Sequence, residues 1–398
     1  MRFSAIRLHY VLVYAVIGAY MPYLPVFLGR DLGMHDAQIG WITGIYGLSV
    51  ILSPPLFTYL ADRLFSGRSL IALAYLASTL ALVGLAFADQ FLAVLLLSFA
   101  FSMVYTPLFA LLDGLAFSAI AVTISAGARP PRYDRLRLWG SLGFMVPAFV
   151  LFFALHTGAA SGRAAIVAAA VAAGLGALCS LSLPRLIPEP RERLPGAAAW
   201  QVLRRPPTRT LVIPLGLLFA AISVFYAFYA RRVLDVGIDP AWVGLVMNLG
   251  VLAELPCIFA AGALLRRFSL RSLILFGALC LMLRLALLAA VADPLVTVAS
   301  QLLHGPVVLA IYLIPPMYLN LKAPPGVRNG VQGLYAMLCF GLARLSGSVA
   351  AGYAAEVDLA WAFVLGATLS ALAFIWLLLR FHDPDADAAL RARDPIAT

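Results

Sequence analysis

Twelve apolar stretches follow one another along the chain, at 5–29, 37–62, 68–88, 91–120, 137–157, 163–183, 207–230, 240–265, 271–291, 294–320, 328–355 and 359–381. About twenty apolar residues in helical form cross the hydrocarbon core of a bilayer. The apolar residues within each stretch are not interrupted by the strict alternation a membrane barrel requires, so the pattern predicts helices. A spanning helix also satisfies its own backbone groups, which lipid cannot do. The run Leu8 to Leu28, behind Arg2 and Arg7, is too long for the apolar core of a signal peptide. It carries Pro22 and Pro25, lacks a small-residue cleavage site, and reads as a first membrane span. The predicted class is an all-α membrane protein with twelve transmembrane helices.

Composition agrees. Of 398 residues 63% are hydrophobic and 12% charged, with mean hydropathy +0.97, too little polar surface for a soluble protein of this length. The net charge of +10 would suit a nucleic-acid ligand if it formed a basic face. It does not. With the N-terminus inside, 22 of the 28 Lys and Arg residues fall in loops and tails on the cytoplasmic side and 4 outside, Arg284 and Arg344 lying within spans. That is the positive-inside bias, and it predicts cytoplasmic N- and C-termini in a bacterial-type inner membrane, with lipid and no nucleic acid as surroundings. Cys179, Cys257, Cys280 and Cys339 sit in apolar runs without paired spacing, so neither a disulfide framework nor a metal site is expected, and no cofactor. No HExxH, GxSxG or phosphate loop is present, and the chain does not read as an enzyme.

The longest polar interruption, Pro184 to Pro207, contains six prolines and the charged run Pro188 to Arg193. It divides the chain into a bundle at 1–184, a linker at 185–206, a bundle at 207–383 and a tail at 384–398. The two bundles repeat. At an offset of 204 residues Asp31 and Gly33 align with Asp235 and Gly237, Gly40 with Gly244, Leu48 with Leu252 and Arg63 with Arg267; after one extra residue in the first half, Arg68-Ser69-Leu70 matches Arg271-Ser272-Leu273. Parallel six-helix repeats suit a transporter that rocks one half against the other.

The end of span 2, Leu60-Ala61-Asp62-Arg63-Leu64-Phe65-Ser66-Gly67-Arg68, resembles the loop of the major facilitator superfamily with the pattern G-x-x-x-D-[RK]-x-G-x-[RK]. Thr58 replaces its leading Gly, and its later Gly is displaced to Gly67. The second copy, Gly262 to Arg267, has Arg266 where the Asp would stand. The resemblance implies that Asp62 and Arg63 take part in a gate, Asp62 capping a helix N-terminus. Gly18-Ala19-Tyr20-Met21-Pro22-Tyr23-Leu24-Pro25 is similar to the first span of lactose permease and its relatives. Arg137-Leu138-Trp139-Gly140-Ser141-Leu142-Gly143-Phe144 is similar to the phenylpropionate and nucleoside proton symporters, and its glycines also suit close helix packing.

Ionisable groups inside hydrocarbon carry the chemistry, because each costs about 2.5–3.5 kcal/mol at a helix centre and demands a partner or a role. Glu254 in span 8, Arg284 in span 9, His304 in span 10 and Arg344 in span 11 all fall in the middle third of the membrane. The lactose permease resemblance implies a proton-coupling acid, Arg and His on spans 8, 9 and 10, which Glu254, Arg284 and His304 match. The further acid of that set has no counterpart, Val307 and Val308 occupying its region. Glu254 reads either as a proton carrier or as an ionised partner of Arg284 or Arg344; His304 as part of the relay or as an interior hydrogen-bonded histidine; Arg344 as structural. Asp113, near the inner end of span 4, either takes part in coupling and gates with Arg137 or caps an interface. Two arginines against one glutamate leave a cation over, which assigns Arg284 to an anionic group on the substrate. Tyr20, Tyr23, Tyr226 and Tyr229 are candidate aromatic contacts. The expected function is proton-coupled uptake of a small organic solute, an aromatic or other small carboxylate first, by a monomer. A sugar or nucleoside proton symporter and a drug/proton antiporter are the alternatives, with a membrane receptor or enzyme the reading from another class.

Overall fold

The computed structural model describes residues 3–63, 66–157, 161–184 and 196–392. Twelve helices are long and apolar enough to cross a membrane. In chain order they are α1 (Phe3–Asp31), α2 (Asp36–Arg63), α3 (Gly67–Phe87), α4 (Phe91–Ser125), α5 (Tyr133–His156), α6 (Arg163–Ser182), α8 (Pro206–Asp235), α9 (Pro240–Arg267), α10 (Leu270–Ala290), α11 (Pro294–Lys322), α12 (Pro325–Val357) and α13 (Leu359–Arg380). Two short helices, α7 (Gly196–Arg204) and α14 (Pro384–Ala392), complete the set, and no strand occurs among the described residues. Leu178 and Leu379 are 71% and 72% exposed, so the outward-facing surface is itself apolar and suits lipid.

Span limits fall within a few residues of those read from hydropathy, the largest extension being five residues, at the ends of α4 (Ser125) and α8 (Asp235). Helix α8 runs five residues past its predicted end because Arg232, buried, pairs with Asp235 one turn on at 2.6 Å and lies over the Phe363 ring. In the predicted linker, residues 196–204 form α7, whose Ala199, Val202 and Leu203 are buried; 185–195 lie outside the described residues. In the predicted tail, 384–392 form α14 and 393–398 lie outside the described residues.

The chain forms two compact units, Met1–Arg191 with Asp239–Leu245, and Glu192–Ile238 with Val246–Thr398. In the first, the glycines of α1 and α5 let the two helices meet backbone to backbone. A Cβ on Gly18 would strike the Phe144 carbonyl, and one on Gly143 the Val11 carbonyl.

The repeated sequence marks repeat as geometry within each unit. Gly33 and Gly237 both turn the chain with positive φ, 61° and 82°. Ser66 caps α3 by accepting from the Ser69 N–H, and Ser269 caps α10 by accepting from Ser272. Arg68 at the start of α3 donates to the Leu181 carbonyl in the last turn of α6 at 3.2 Å, and Arg271 at the start of α10 donates to the Leu378 carbonyl in the last turn of α13. Each pair places a cation at the negative end of a helix dipole.

The second unit adds a clamp. Asp383, between α13 and α14, takes Lys322 at 2.6 Å, the Tyr318 hydroxyl at 2.8 Å and the Ala386 N–H at 3.1 Å. Asp387 on α14 accepts from the Leu270 N–H at the start of α10 at 2.6 Å. Burial alone would push the Asp383 carboxyl up, but the hydrogen bonds from Lys322, Tyr318 and Ala386 hold it below its ordinary value.

Candidate functional site

Four polar side chains of the second unit form a chain inside apolar surroundings. Glu254 stands on α9, Arg284 on α10, and Gln301 and His304 one turn apart on α11. The His304 Nε2 lies 3.1 Å from Glu254 Oε1, and its Nδ1 lies 2.7 Å from an Arg284 terminal nitrogen. The other Arg284 terminal nitrogen donates to Gln301 Oε1 at 2.5 Å. A guanidinium can only donate, so His304 Nδ1 must be the bare nitrogen and Nε2 the one that carries hydrogen. The imidazole is thus neutral, taking a hydrogen bond from Arg284 and giving one to Glu254.

The packing makes this arrangement possible. A Cβ on Gly250 would come within 2.6 Å of Gln301 Oε1 and 3.3 Å of the His304 ring. One on Gly305 would strike the Ala253 carbonyl. The two glycines therefore let α9 and α11 close on the polar chain, as small residues do where membrane helices meet. Arg284 is 0% exposed and its guanidinium lies 3.6 Å from the centre of the Phe225 ring, while the Glu254 side chain, at the far end, is 22% exposed.

This geometry bears on the expectation for Arg284. It was assigned to a substrate anion, but both terminal nitrogens are engaged within the unit and no surface of it is open. Glu254 likewise meets His304 in place of a direct partner in Arg284. The mid-membrane depth that brought these residues together in the sequence reading does not specify how far each is rotated about its helix, and the rotation decides the partners.

Arg344, on α12, is half-buried, with its guanidinium 5.8 Å from the Tyr226 ring. Tyr226 accepts a hydrogen bond from the Tyr312 hydroxyl, and the charges of Glu254 and Arg344 both act on these two tyrosines. Tyr312 packs edge-on to Phe219 at 5.2 Å and tilted to Phe340 at 5.5 Å. Of the four tyrosines singled out from the sequence, Tyr226 is half-buried; Tyr20, Tyr23 and Tyr229 are buried. Tyr20 packs on Phe101 at 4.8 Å, and the Tyr229 hydroxyl donates to the Thr297 carbonyl at 2.9 Å within the second unit. Gln301 and Tyr312 were not singled out. Gln301 was readable, being an amide three residues before His304 on the same helical side. Tyr312 looks like any aromatic in an apolar run.

In the first unit Asp113 accepts from the Tyr10 hydroxyl at 2.6 Å and from Tyr133. Arg137 lies 4.3 Å over the Tyr14 ring. Of the two readings of Asp113, gate with Arg137 or interface cap, neither is decided: here tyrosine hydroxyls meet the carboxylate's hydrogen-bonding need, and an aromatic face holds the cation. Asp62 and Arg63 end α2, and their side chains lie outside the described residues.

Twelve apolar helices and a buried polar chain in the second unit suit a membrane transporter, and the family match places the chain in the major facilitator superfamily. The chain belongs to the MFS_1 like family, whose profile matches residues 3–365. It is similar to the maltose permease of Geobacillus stearothermophilus, 26% identical over 89% of this chain and 88% of that one. It is similar also to the "Probable 3-phenylpropionic acid transporter" of Escherichia coli (strain K12), 25% identical over 87% and 88%. A mutant form of the nucleoside transporter NupG shares the fold with a TM-score of 0.85 at 18% identity, over 96% of this chain and 100% of that one.

Proposed function

We propose that this protein takes up a small organic solute together with protons, by alternating access of two halves at 1–184 and 207–383. It would do so as a monomer in a bacterial-type inner membrane, with both termini cytoplasmic and Glu254 as the principal proton site. The observation that carries this reading is the Glu254–His304–Arg284 chain. It has the Glu254 carboxylate at the partly exposed end of a hydrogen-bonded chain whose other end is a sealed cation. His304, being neutral and already donating to Glu254, holds that carboxylate in one orientation. A proton arriving at the chain then settles on Glu254, which ends the charged contact with the imidazole and changes how α9 and α11 are tied.

The test uses Glu254→Gln in reconstituted vesicles. It is expected to exchange substrate across the membrane and to lose accumulation on an imposed pH gradient. Accumulation equal to the parent's would overturn the assignment and move attention to Asp113, which the two tyrosines hold in the first unit.

A second reading, symport of a neutral sugar or nucleoside, draws support from the maltose permease and from NupG. It also fits the Tyr226–Tyr312 hydroxyl pair near Glu254, since such groups bind sugar hydroxyls as readily as they bind acids. Competition of uptake by aryl acids against sugars and nucleosides separates the two.

A further inference from the structure

We infer that Arg344, with Tyr226 and Tyr312, is where the second unit receives the anionic group of an aromatic carboxylate, and that Arg284 only positions His304. The inference rests on the proton-symport reading above and reverses the roles that charge counting gave the two arginines.

The first argument is access. To reach Arg284 a carboxylate would have to displace both His304 and Gln301 and lift the guanidinium from Phe225, in a position with 0% exposure. Arg344, in contrast, is only half-buried, so part of it is already open. A charged side chain in the middle of a span faces the protein interior or a water-filled path and not lipid, so that open part is directed where solute travels.

The second argument is shape. Beside Arg344 three helices contribute aromatic rings. Phe219 from α8 lies 4.4 Å from Phe340 of α12, and Tyr312 from α11 lies within 5.5 Å of both. Tyr226, Tyr312 and Phe340 are each half-buried. A flat ring can stack on such a wall while its carboxylate meets the planar guanidinium in two parallel hydrogen bonds, a geometry an ammonium cannot reproduce.

The third is coupling. Glu254 and Arg344 act on the same two tyrosines from opposite charge, so they are electrostatic neighbours. Protonating Glu254 removes a negative charge from the surroundings of the anion site and leaves Arg344 in place. Proton and anion then favour each other's binding, and linkage makes the effect reciprocal. The other titratable or charged groups around Glu254 are His304 and Tyr312 on α11, Arg284 on α10, Tyr226 on α8 and Cys257 on its own helix. Among the described residues Glu254 is the one carboxylate of this group.

The experiment is equilibrium binding to the purified full-length protein, with 3-phenylpropionate, benzoate and cinnamate, each beside its neutral amide. The parent is expected to prefer at least one acid to its amide, and Arg344→Gln to abolish that preference with an affinity loss of about 30-fold or more. Arg344→Lys keeps charge and fold and should lose most of the preference, which separates lost recognition from misfolding. Arg284→Lys should retain the preference while accumulation in vesicles falls. Glu254→Gln, which removes the carboxylate charge outright, should bind the acid more tightly than the parent does, by a factor in the usual coupling range of roughly 5 to 150, and leave amide binding unchanged. The inference is overturned if the parent never prefers an acid to its amide, if Arg344→Gln and Arg344→Lys keep the preference, or if Arg284→Lys alone removes it. These outcomes are read without a proton gradient. They can therefore fail while accumulation still depends on Glu254, and the reverse also holds.

Discussion

His304 shows how much depends on a single hydrogen. Between a donor that cannot accept and a carboxylate that can only accept when ionised, the ring must present one bare nitrogen and one N–H. An amide offers the same pair. His304→Gln is therefore expected to retain measurable proton-coupled uptake, while His304→Phe, which offers neither, abolishes it. If the ring itself carried the proton, both variants would be equally inactive on a pH gradient, and that comparison of uptake rates decides the point. The residues of this relay were legible in the sequence as charges standing in hydrocarbon, where chance alone seldom puts them. Their order was not. Gln301 carries no charge to draw notice, and the exchange of roles we infer between Arg284 and Arg344 rests on helix rotation and burial, which depth along a span does not contain.

Among the helices, the polar chain survives because α9 and α11 approach closely at two glycines. A methyl group at Gly305 would meet the Ala253 carbonyl, which is backbone and cannot swing aside. Gly305→Ala is expected to cost about 1–3 kcal/mol, seen as a fall in the thermal unfolding midpoint, together with weakened coupling. Gly216→Ala in α8 is the control, since a Cβ there meets nothing within 4 Å and should leave the midpoint unchanged or slightly raised. A Gly305→Ala protein as stable as the parent would mean that the helices are not held at this distance. The helices themselves were readable, because twenty apolar residues in a row leave the backbone one solution. Helices α7 and α14 were not, as short amphipathic segments of 9 residues between charged runs look like linker and tail. Nor were the π-helical turns at Leu309–Leu313 and Met337–Ala343, which shift side-chain facing on either side of Tyr312 and just before Arg344.

Across the whole chain, the repeat was visible as Asp-x-Gly and Arg-Ser-Leu spaced by about two hundred residues, and it returns as paired turns, serine caps and arginine contacts. What differs between the units carries the chemistry. The second alone, among the described residues, places Glu, His and Arg in one hydrogen-bonded chain, and the Asp383 clamp ties its α11, α13 and α14. Asp383 is held below its ordinary value, so its contribution to stability is present above the ordinary carboxylate value of about 4. That contribution is lost only as pH falls through the lowered one. The clamp stays ionised from pH 8 to pH 6, so changes in transport across that window do not arise from it.

The central claim is that protons and solute cross together because Glu254 releases and takes a proton during the cycle. The direct measurement is proton movement in lightly buffered vesicles when a transported solute is added with no pH gradient imposed. For the parent, solute entry should draw protons in and raise the external pH, in proportion to the solute taken up. With Glu254→Gln, solute should still equilibrate across the membrane while the external pH stays flat. An equal pH rise from parent and variant, at equal solute entry, would contradict the account.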